Sequence, residues 1–415
     1  MVKIKNNSKR LVVKFGGASL SSGENVLKVA KAVADEMRKG SQIVVVVSAM
    51  GKSTDTLIDI AKKASEGQIA AHELDDVLSM GERSSARIFT AALTAQGVKT
   101  HYFDPADSKW PIITNNKFNN ADPIPEECDR RIQRQVSPLL SENIVPVIPG
   151  FIGRSINGKR ITTMGRGGSD TTAFILARAI GANEVVLVTD VDGIMSADPK
   201  LIKNPRLIKR LAVDKLASLA DAGSKFIHVR ALKHKEEAIK VRIVNYASSR
   251  LNGLGTVIHG ALPSLKVELL QKPAMAVTLV GEDLPQSPEI VNKLIREIKR
   301  YGVPVLGIST DRDSVILYLP FIENGRFLEN LHSVVLLNNR ALAMAVKKNL
   351  ALIKVRGVGL EEKPGIIGRI SEPLHKNNIN IFGIFTIASS ILVLVGWEAR
   401  EKTVKLIEES LGRKL

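Results

Sequence analysis

Over the first ~260 residues the hydrophobic pattern alternates between short continuous apolar runs and stretches with helical spacing. Leu11–Phe15 reads as a strand and Asn25–Arg38 as an amphipathic helix. Gln42–Val47, with four consecutive valines, predicts a strand buried on both faces, followed by a helix from Thr54 to Ser65. Leu74–Ala95 predicts a longer helix and Lys99–Phe103 a short strand. Asn143–Ile148 and Glu184–Val188 predict two more strands, each ahead of a glycine turn. Continuous apolar strands between helices imply a parallel sheet covered on both sides. Ligands on such sheets sit at the carboxyl ends of the strands. The loops after Val13, Val47, Ile148 and Val188 are therefore the predicted site.

Two segments depart from this rhythm. Pro105–Glu127 is long and polar, with four asparagines in Asn115–Asn120, and reads as a hairpin excursion over the site or as a disordered loop. After Gly255-Thr256-Val257 the pattern changes, and Pro263 to Pro273 reads as a linker. Beyond it lies an internal repeat at an offset of 76 residues. Gly281, Leu284, Pro288, Ile290, Leu294 and Ile298 correspond to Gly357, Leu360, Pro364, Ile366, Ile370 and Leu374. Val303, Val305, Gly307, Thr310 and Ser314 correspond to Ile379, Ile381, Gly383, Thr386 and Ser390. Each copy reads as strand, helix, strand, turn, strand and a further helix, a split βαβ unit of about 70 residues. Two copies can pair their sheets side by side and bury each other's edges.

Composition narrows the class. A chain of 415 residues with 44% hydrophobic content supports two or three domains. The longest apolar runs, such as Ile43–Val47 and Ile391–Val395, are of strand length, so no membrane span is expected. The N-terminal apolar run is broken by Lys14 and does not read as a signal peptide. The single cysteine, Cys128, excludes an intramolecular disulfide framework, and a cytoplasmic location is expected. No Cys/His cluster has zinc-ligand spacing, and no resident metal site is expected. The net charge of +17 is spread along the chain and not interleaved with aromatics. It reads as a solvated basic surface with pockets for acidic ligands rather than a nucleic-acid face.

The candidate chemistry lies in the predicted loops. Thr162–Ala173, TTMGRGGSDTTA, sets Arg166 between glycines and then Ser169 and Asp170 at a helix start. Backbone amides at such an entry favour an anion, and a guanidinium fork suits a carboxylate or phosphate. Lys14-Phe15-Gly16-Gly17 is a second glycine turn with its own cation; Lys14 can reach a β- or γ-phosphate, or be an ordinary strand-end lysine. Two such loops suggest two anionic ligands meeting, as phosphoryl transfer requires. Met50-Gly51-Lys52-Ser53-Thr54 resembles the end of a P-loop, but Val46 stands where the first glycine is needed. Ser48 and Thr54 remain as hydroxyl donors or helix caps. Gly81-Glu82-Arg83 interrupts a helical pattern, and Glu82 is either an acceptor for a substrate ammonium or a solvated helix residue. Asp170 reads as an organiser of lysines, a magnesium partner or a cap. Asp190 and Asp192 follow the Glu184–Val188 strand and suit a metal, a ribose or a turn; Asp198-Pro199-Lys200 reads as a turn that can line a nucleotide pocket, and Lys225, after Gly223-Ser224, as a second phosphate cation.

Together these motifs resemble those of the aspartokinases within the amino-acid-kinase family, over nearly the whole chain. The matching stretches are VVKFGGAS, VVSAMGKSTD, SMGERSSA, IITNNKFNNA, IPGFIGRS, GRGGSDTTA, LVTDVDGI, DPK and GSKFIH, in family order. The repeat is similar to the paired ACT regulatory modules of that family. The resemblance implies an α/β fold: a three-layer α/β/α kinase domain with a mainly parallel sheet over residues 1–262, then two α+β ferredoxin-like ACT modules at 274–341 and 350–415. It implies transfer of the ATP γ-phosphate to the side-chain carboxylate of L-aspartate, with Mg2+ bridging the phosphates, and a homodimer or larger homo-oligomer. An amino-acid effector at the ACT modules is also implied.

Residue by residue, the resemblance makes Lys14 and Lys225 the phosphate-neutralising lysines and Asp170 the acid that orders them. Thr54, Glu82, Phe151, Arg166 and Ser169 fall on aspartate-binding positions, with Arg166 on a carboxylate and Glu82 near the ammonium. Lys14, Phe15, Gly16, Gly17, Ser48, Thr189, Asp190, Met195, Asp198 and Lys200 fall on the nucleotide side. The chain departs from the family at Ala18, usually Thr, at Met195, commonly Tyr, and at Val229, usually Pro. Ile387-Ala388 replaces a Ser-Glu pair, which weakens the expectation of feedback by lysine or threonine. Two other readings stand beside this one: a relative acting on a different acid, and an amino-acid-sensing regulator with a decayed kinase part.

Overall fold

The computed structural model describes residues 8–221, 227–262, 265–284, 288–357, 360, 364–387 and 390–412. It divides into two compact units, Met1–Leu262 and Pro263–Leu415.

Apolar runs build the first unit from within. Its eight-stranded sheet has the order Thr100–Tyr102, Val145–Pro149, Gln42–Val47, Arg10–Phe15, Glu184–Thr189, Lys240–Asn245, Gly255–His259, Arg210–Ala212. All neighbours are parallel except Lys240–Asn245 with Gly255–His259. Alternate residues of the central strands enter two cores. Val12, Val44 and Val46 pack with Phe174 and Ile132 on one side. Leu11, Val13, Phe15 and Val45 pack with Val29, Phe89 and Leu93 on the other. Helices Gly168–Ala179 and Pro125–Gln135 thus cover one face, and Gly23–Arg38 and Ala71–Ala95 the other. The result is a three-layer α/β/α unit with a mostly parallel sheet.

The Pro105–Glu127 segment is an ordered excursion. Its strand Ile113–Thr114 joins Ile152–Ser155 and Ile161–Thr163 in a small second sheet, and Thr114 bridges back to Pro123. The helix that Gly81-Glu82-Arg83 was expected to interrupt runs unbroken from Ala71 to Ala95.

The second unit is one seven-stranded antiparallel sheet. The 16-residue strand Ala341–Arg356 serves both repeats. Its first half pairs with Ala274–Gly281, and its second half with Ser390–Gly396. Core positions obey the repeat: Ile290, Leu294 and Ile298 are buried in one core, and Ile366, Ile370 and Leu374 in the other. The segment read as a linker contains a strand. Lys266–Leu269 pairs with the second half of Ala341–Arg356 and sends Val267 and Leu269 into the second core. The second repeat therefore takes its fourth strand from chain that precedes the first repeat. Ile387 is exposed, and Ala388 lies outside the described residues. No helix among the described residues is long and apolar enough to cross a membrane.

Candidate active site

Every loop that shapes the site leaves the carboxyl end of a buried strand. Lys14 is the penultimate residue of Arg10–Phe15, and its side chain meets the helix start at Asp170, Nζ to Oδ1 2.8 Å. Both side chains are largely buried, 17% and 13% exposed, so the attraction is screened less than a surface pair would be. Ser48, after Gln42–Val47, donates its hydroxyl hydrogen to Ser169 Oγ at 3.0 Å. The Gly16-Gly17 turn is also tied through backbone to the Val188 strand end and to the 48–51 loop. Gly16 N–H donates to Val188 O at 3.0 Å, Ser48 N–H to Phe15 O at 3.0 Å, and Gly51 N–H to Gly17 O at 3.0 Å.

Gly17 is needed for its lack of a side chain. A Cβ there would lie 2.8 Å from Ala49 O and 3.0 Å from Gly51 O, both backbone atoms that cannot swing away. Gly17→Ala is expected to destabilise the unit by about 1–3 kcal/mol through overpacking, read as a lowered melting temperature by calorimetry. An unchanged transition would contradict this packing.

Glu82 is the least expected feature. The preceding Gly81 lies so close to the 49–54 loop that a Cβ would be 2.9 Å from the Ala49 Cβ. This approach seals Glu82 to 4% exposure, and its Oε2 is buried without a hydrogen-bond partner. Burial pushes the Glu82 carboxyl up to about 7, and the Ala49 amide offsets this only in part. Next along the helix, Arg83 fixes its rotation by pairing with Asp104 at 3.1 Å, a carboxylate that also accepts from the Tyr102 hydroxyl at 2.9 Å. A buried carboxylate with one oxygen left unpartnered is built to receive a cation.

Phe151 holds a left-handed backbone, φ 68°, which costs on the order of 1–2 kcal/mol for a residue with a side chain. Its N–H donates to Thr172 Oγ1 at 3.2 Å and its carbonyl accepts from Met164 N–H at 2.9 Å, so both neighbours of the glycine turn hold it in place.

These groups enclose one cavity of about 360 Å3. It brings together Lys14, Gly17, Ser48, Thr54, Glu82, Phe151, Ser169 and Asp170 from the sequence reading. Lys52 and Asp55, which that reading did not select, also line it. The clue was the rejected P-loop-like stretch: its glycine braces Gly17 and leaves Lys52 at the mouth.

Other expected residues lie elsewhere. Phe15 has its ring in the core, 4.9 Å from that of Phe89, and offers the site only its backbone. Gly16 is beside the cavity through its bond to Val188 O. Arg166 is exposed and does not line the cavity. Thr189, Asp190, Met195, Asp198 and Lys200 follow the Glu184–Thr189 strand, next to Gly16 but outside the cavity. There Thr189 Oγ1 donates to Asp190 at 3.0 Å, and Asp198 accepts from the Lys200 amide at 2.8 Å. Lys225 lies outside the described residues. Among the described residues no group of three or more His, Cys, Asp or Glu could hold a metal ion.

Comparison with known proteins gives a consistent result. Residues 9–245 match the model of the amino acid kinase family, and residues 345–409 that of an ACT domain. The aspartokinase of Bacillus sp. (strain MGA3) is 31% identical over 418 residues, covering 96% of each chain. The crystal structure of aspartate kinase from Synechocystis superposes with a TM-score of 0.77 at 26% identity, covering 98% of this chain and 70% of that one. Aspartokinase III of E. coli, solved with aspartate and ADP, shares the fold at a TM-score of 0.56 and 23% identity, covering 98% of this chain and all of that one.

Proposed function

The chain belongs to the aspartokinase branch of the amino acid kinase family, and from that premise we propose that its cavity phosphorylates the side-chain carboxylate of L-aspartate at the expense of ATP. The product is 4-phospho-L-aspartate, at the head of lysine, threonine and methionine synthesis. The observation that carries the site reading is one small cavity holding both a lysine–aspartate pair and a buried carboxylate with an empty coordination direction. A zwitterionic amino acid needs an anion for its ammonium and cations for its carboxylates; a phosphate acceptor without an ammonium would leave Glu82 unpaired.

Each side chain then has a task. Lys14 neutralises charge on the transferring phosphoryl group, and Asp170 keeps Lys14 aimed. Glu82 takes the substrate ammonium. Ser169, linked to Ser48, and Thr54 orient the acceptor carboxylate beside the amides of the helix start, and Phe151 forms the wall. Arg166 reaches the second carboxylate once substrate is present, and Lys225 is the second phosphate cation. The Gly16-Gly17 turn, beside the Lys14 ammonium, offers its backbone to a phosphate chain. Thr189, Asp190, Met195, Asp198 and Lys200 flank the nucleotide. Magnesium would ride on the triphosphate, held through one or two protein oxygens such as those of Asp170. No covalent intermediate is needed; alignment and charge neutralisation supply the rate.

ADP release should be followed with L-aspartate, L-glutamate, N-acetyl-L-glutamate and UMP as acceptors. Aspartate is expected to turn over, with acetylglutamate poorer by about 100-fold or more because its acylated nitrogen leaves Glu82 unsatisfied. Turnover with UMP alone would defeat the proposal. Homo-oligomerisation and amino-acid feedback through the second unit belong to the same reading. Sedimentation, and activity measured across lysine, threonine and methionine, test them.

A further inference from the structure

Two side chains outside the cavity grip the strand from which the glycine turn springs. Asp75 is completely buried on the helix that carries Glu82, two turns earlier on the same face. Its carboxylate accepts from the Asn119 amide at 3.1 and 3.0 Å, from the Thr163 amide at 3.0 Å and from Thr163 Oγ1 at 2.5 Å. Arg230 works on the same junction. Its guanidinium donates to Met164 O at 3.0 Å, Asn120 O at 3.3 Å and Ala121 O at 2.9 Å, and also bonds Asn120 Oδ1 and Asp122. Asn120 in turn lies against Gly165: a Cβ on that glycine would be 3.0 Å from Asn120 Oδ1. None of these residues except Gly165 lines the cavity.

We propose that Asp75 and Arg230 are positioning residues that clamp the tip of the polar excursion, Asn119–Asp122, onto Thr163-Met164. The clamp sets the distance between the Gly165–Ser169 turn and Glu82. The reason lies in rigidity. Glu82 sits on a helix and Ser169 on a different element, and a bound amino acid must span both. Asp75 ties that helix to the strand running into the turn through charge-assisted bonds in a site that excludes water. Arg230 spreads one planar fork over backbone carbonyls of both segments, which a lysine ammonium cannot do. The excursion acts as a brace on the acceptor side of the site. This inference rests on the reading of the cavity as an amino-acid acceptor site.

The test uses the full chain with Asp75→Asn and Arg230→Lys, the latter retaining charge. Glu184→Gln is the comparison variant. It breaks the pairing of the buried Glu184 with the more exposed Lys9 and Arg242, both at 2.7 Å, away from the cavity. Asp75→Asn and Arg230→Lys are expected to raise KM for aspartate about tenfold or more, to leave KM for ATP within about twofold, and to speed hydrogen exchange across residues 113–124 and 161–169. Glu184→Gln is expected to lower the melting temperature without moving either KM. The clamp is overturned if KM for aspartate shifts no more than in Glu184→Gln, or if exchange in those two segments stays at the wild-type rate. Should the wild type fail to phosphorylate aspartate, the functional reading falls separately, and the exchange measurement still decides the clamp without any substrate.

Discussion

Replacing Lys14 with alanine is expected to lower kcat by about 100- to 1,000-fold, on the order of 3–4 kcal/mol of transition-state stabilisation, with much smaller changes in KM. The magnitude follows from the position of the ammonium. It is mostly shielded from water and 2.8 Å from Asp170, so it is fixed before substrate arrives and spends nothing on reorganisation. Charge moving onto the bridging and leaving oxygens of the phosphoryl group is then met by a preset cation. The variant also leaves Asp170 without its counterion in a partly dehydrated place, so a modest loss of thermal stability should accompany the loss of rate. Steady-state kinetics with both substrates varied provides the check. A kcat within tenfold of wild type would remove Lys14 from the phosphate and with it the assignment of the Gly16-Gly17 turn.

The second large effect concerns Glu82, where stability and function are expected to move in opposite directions. In the free protein burial raises this carboxyl from 4.5 to about 7. The folded form therefore binds a proton that the unfolded chain has lost, and stability declines as pH rises from about 4.5 through 7. At pH 8 the folded protein carries a buried charge with an unsatisfied oxygen. Glu82→Gln removes that charge and should stabilise the free protein there by about 2–3 kcal/mol, with little effect near pH 4. The same variant cannot pair with an ammonium, and kcat/KM for aspartate should fall by about 100-fold, through KM above all. In the wild type kcat/KM should climb about tenfold between pH 6 and 8 as Glu82 ionises, and this limb should vanish in the variant. Thermal melts at pH 5 and 8, together with pH–rate profiles, test both halves. A variant that melts no higher at pH 8 contradicts the burial, and one that keeps its affinity for aspartate contradicts the role.

The parts legible in the sequence share a physical cause. Strands buried on both faces must be apolar throughout, so Gln42–Val47 and Glu184–Thr189 announced themselves. The repeat was visible because its spacing is that of two cores, with Leu294 and Ile370 occupying the same place. Lys240–Asn245 and Lys266–Leu269 escaped notice because their charged residues alternate with apolar ones, as in Arg242, whose side chain reaches back to Glu184 at 2.7 Å. The positions of Lys14 and Ser48 followed from strand ends, and those of Ser169 and Asp170 from the glycine-rich helix entry they belong to. The burial of Glu82 did not, because it depends on Gly81 meeting Ala49, a contact no periodicity encodes. Asp75 and Arg230 were silent for a similar reason. Most of their partners are backbone amides and carbonyls, which every residue possesses.

The strand Lys266–Leu269 has a consequence for how the chain is made. It leaves the ribosome roughly ninety residues ahead of the stretch it pairs with, a long-range closure of the slow kind. Until then Val267 and Leu269 have no core to enter, and a chain truncated after the first repeat keeps them as a sticky, unmatched ribbon. The first strand of the second unit is thus stitched to the second repeat, and the two mature together.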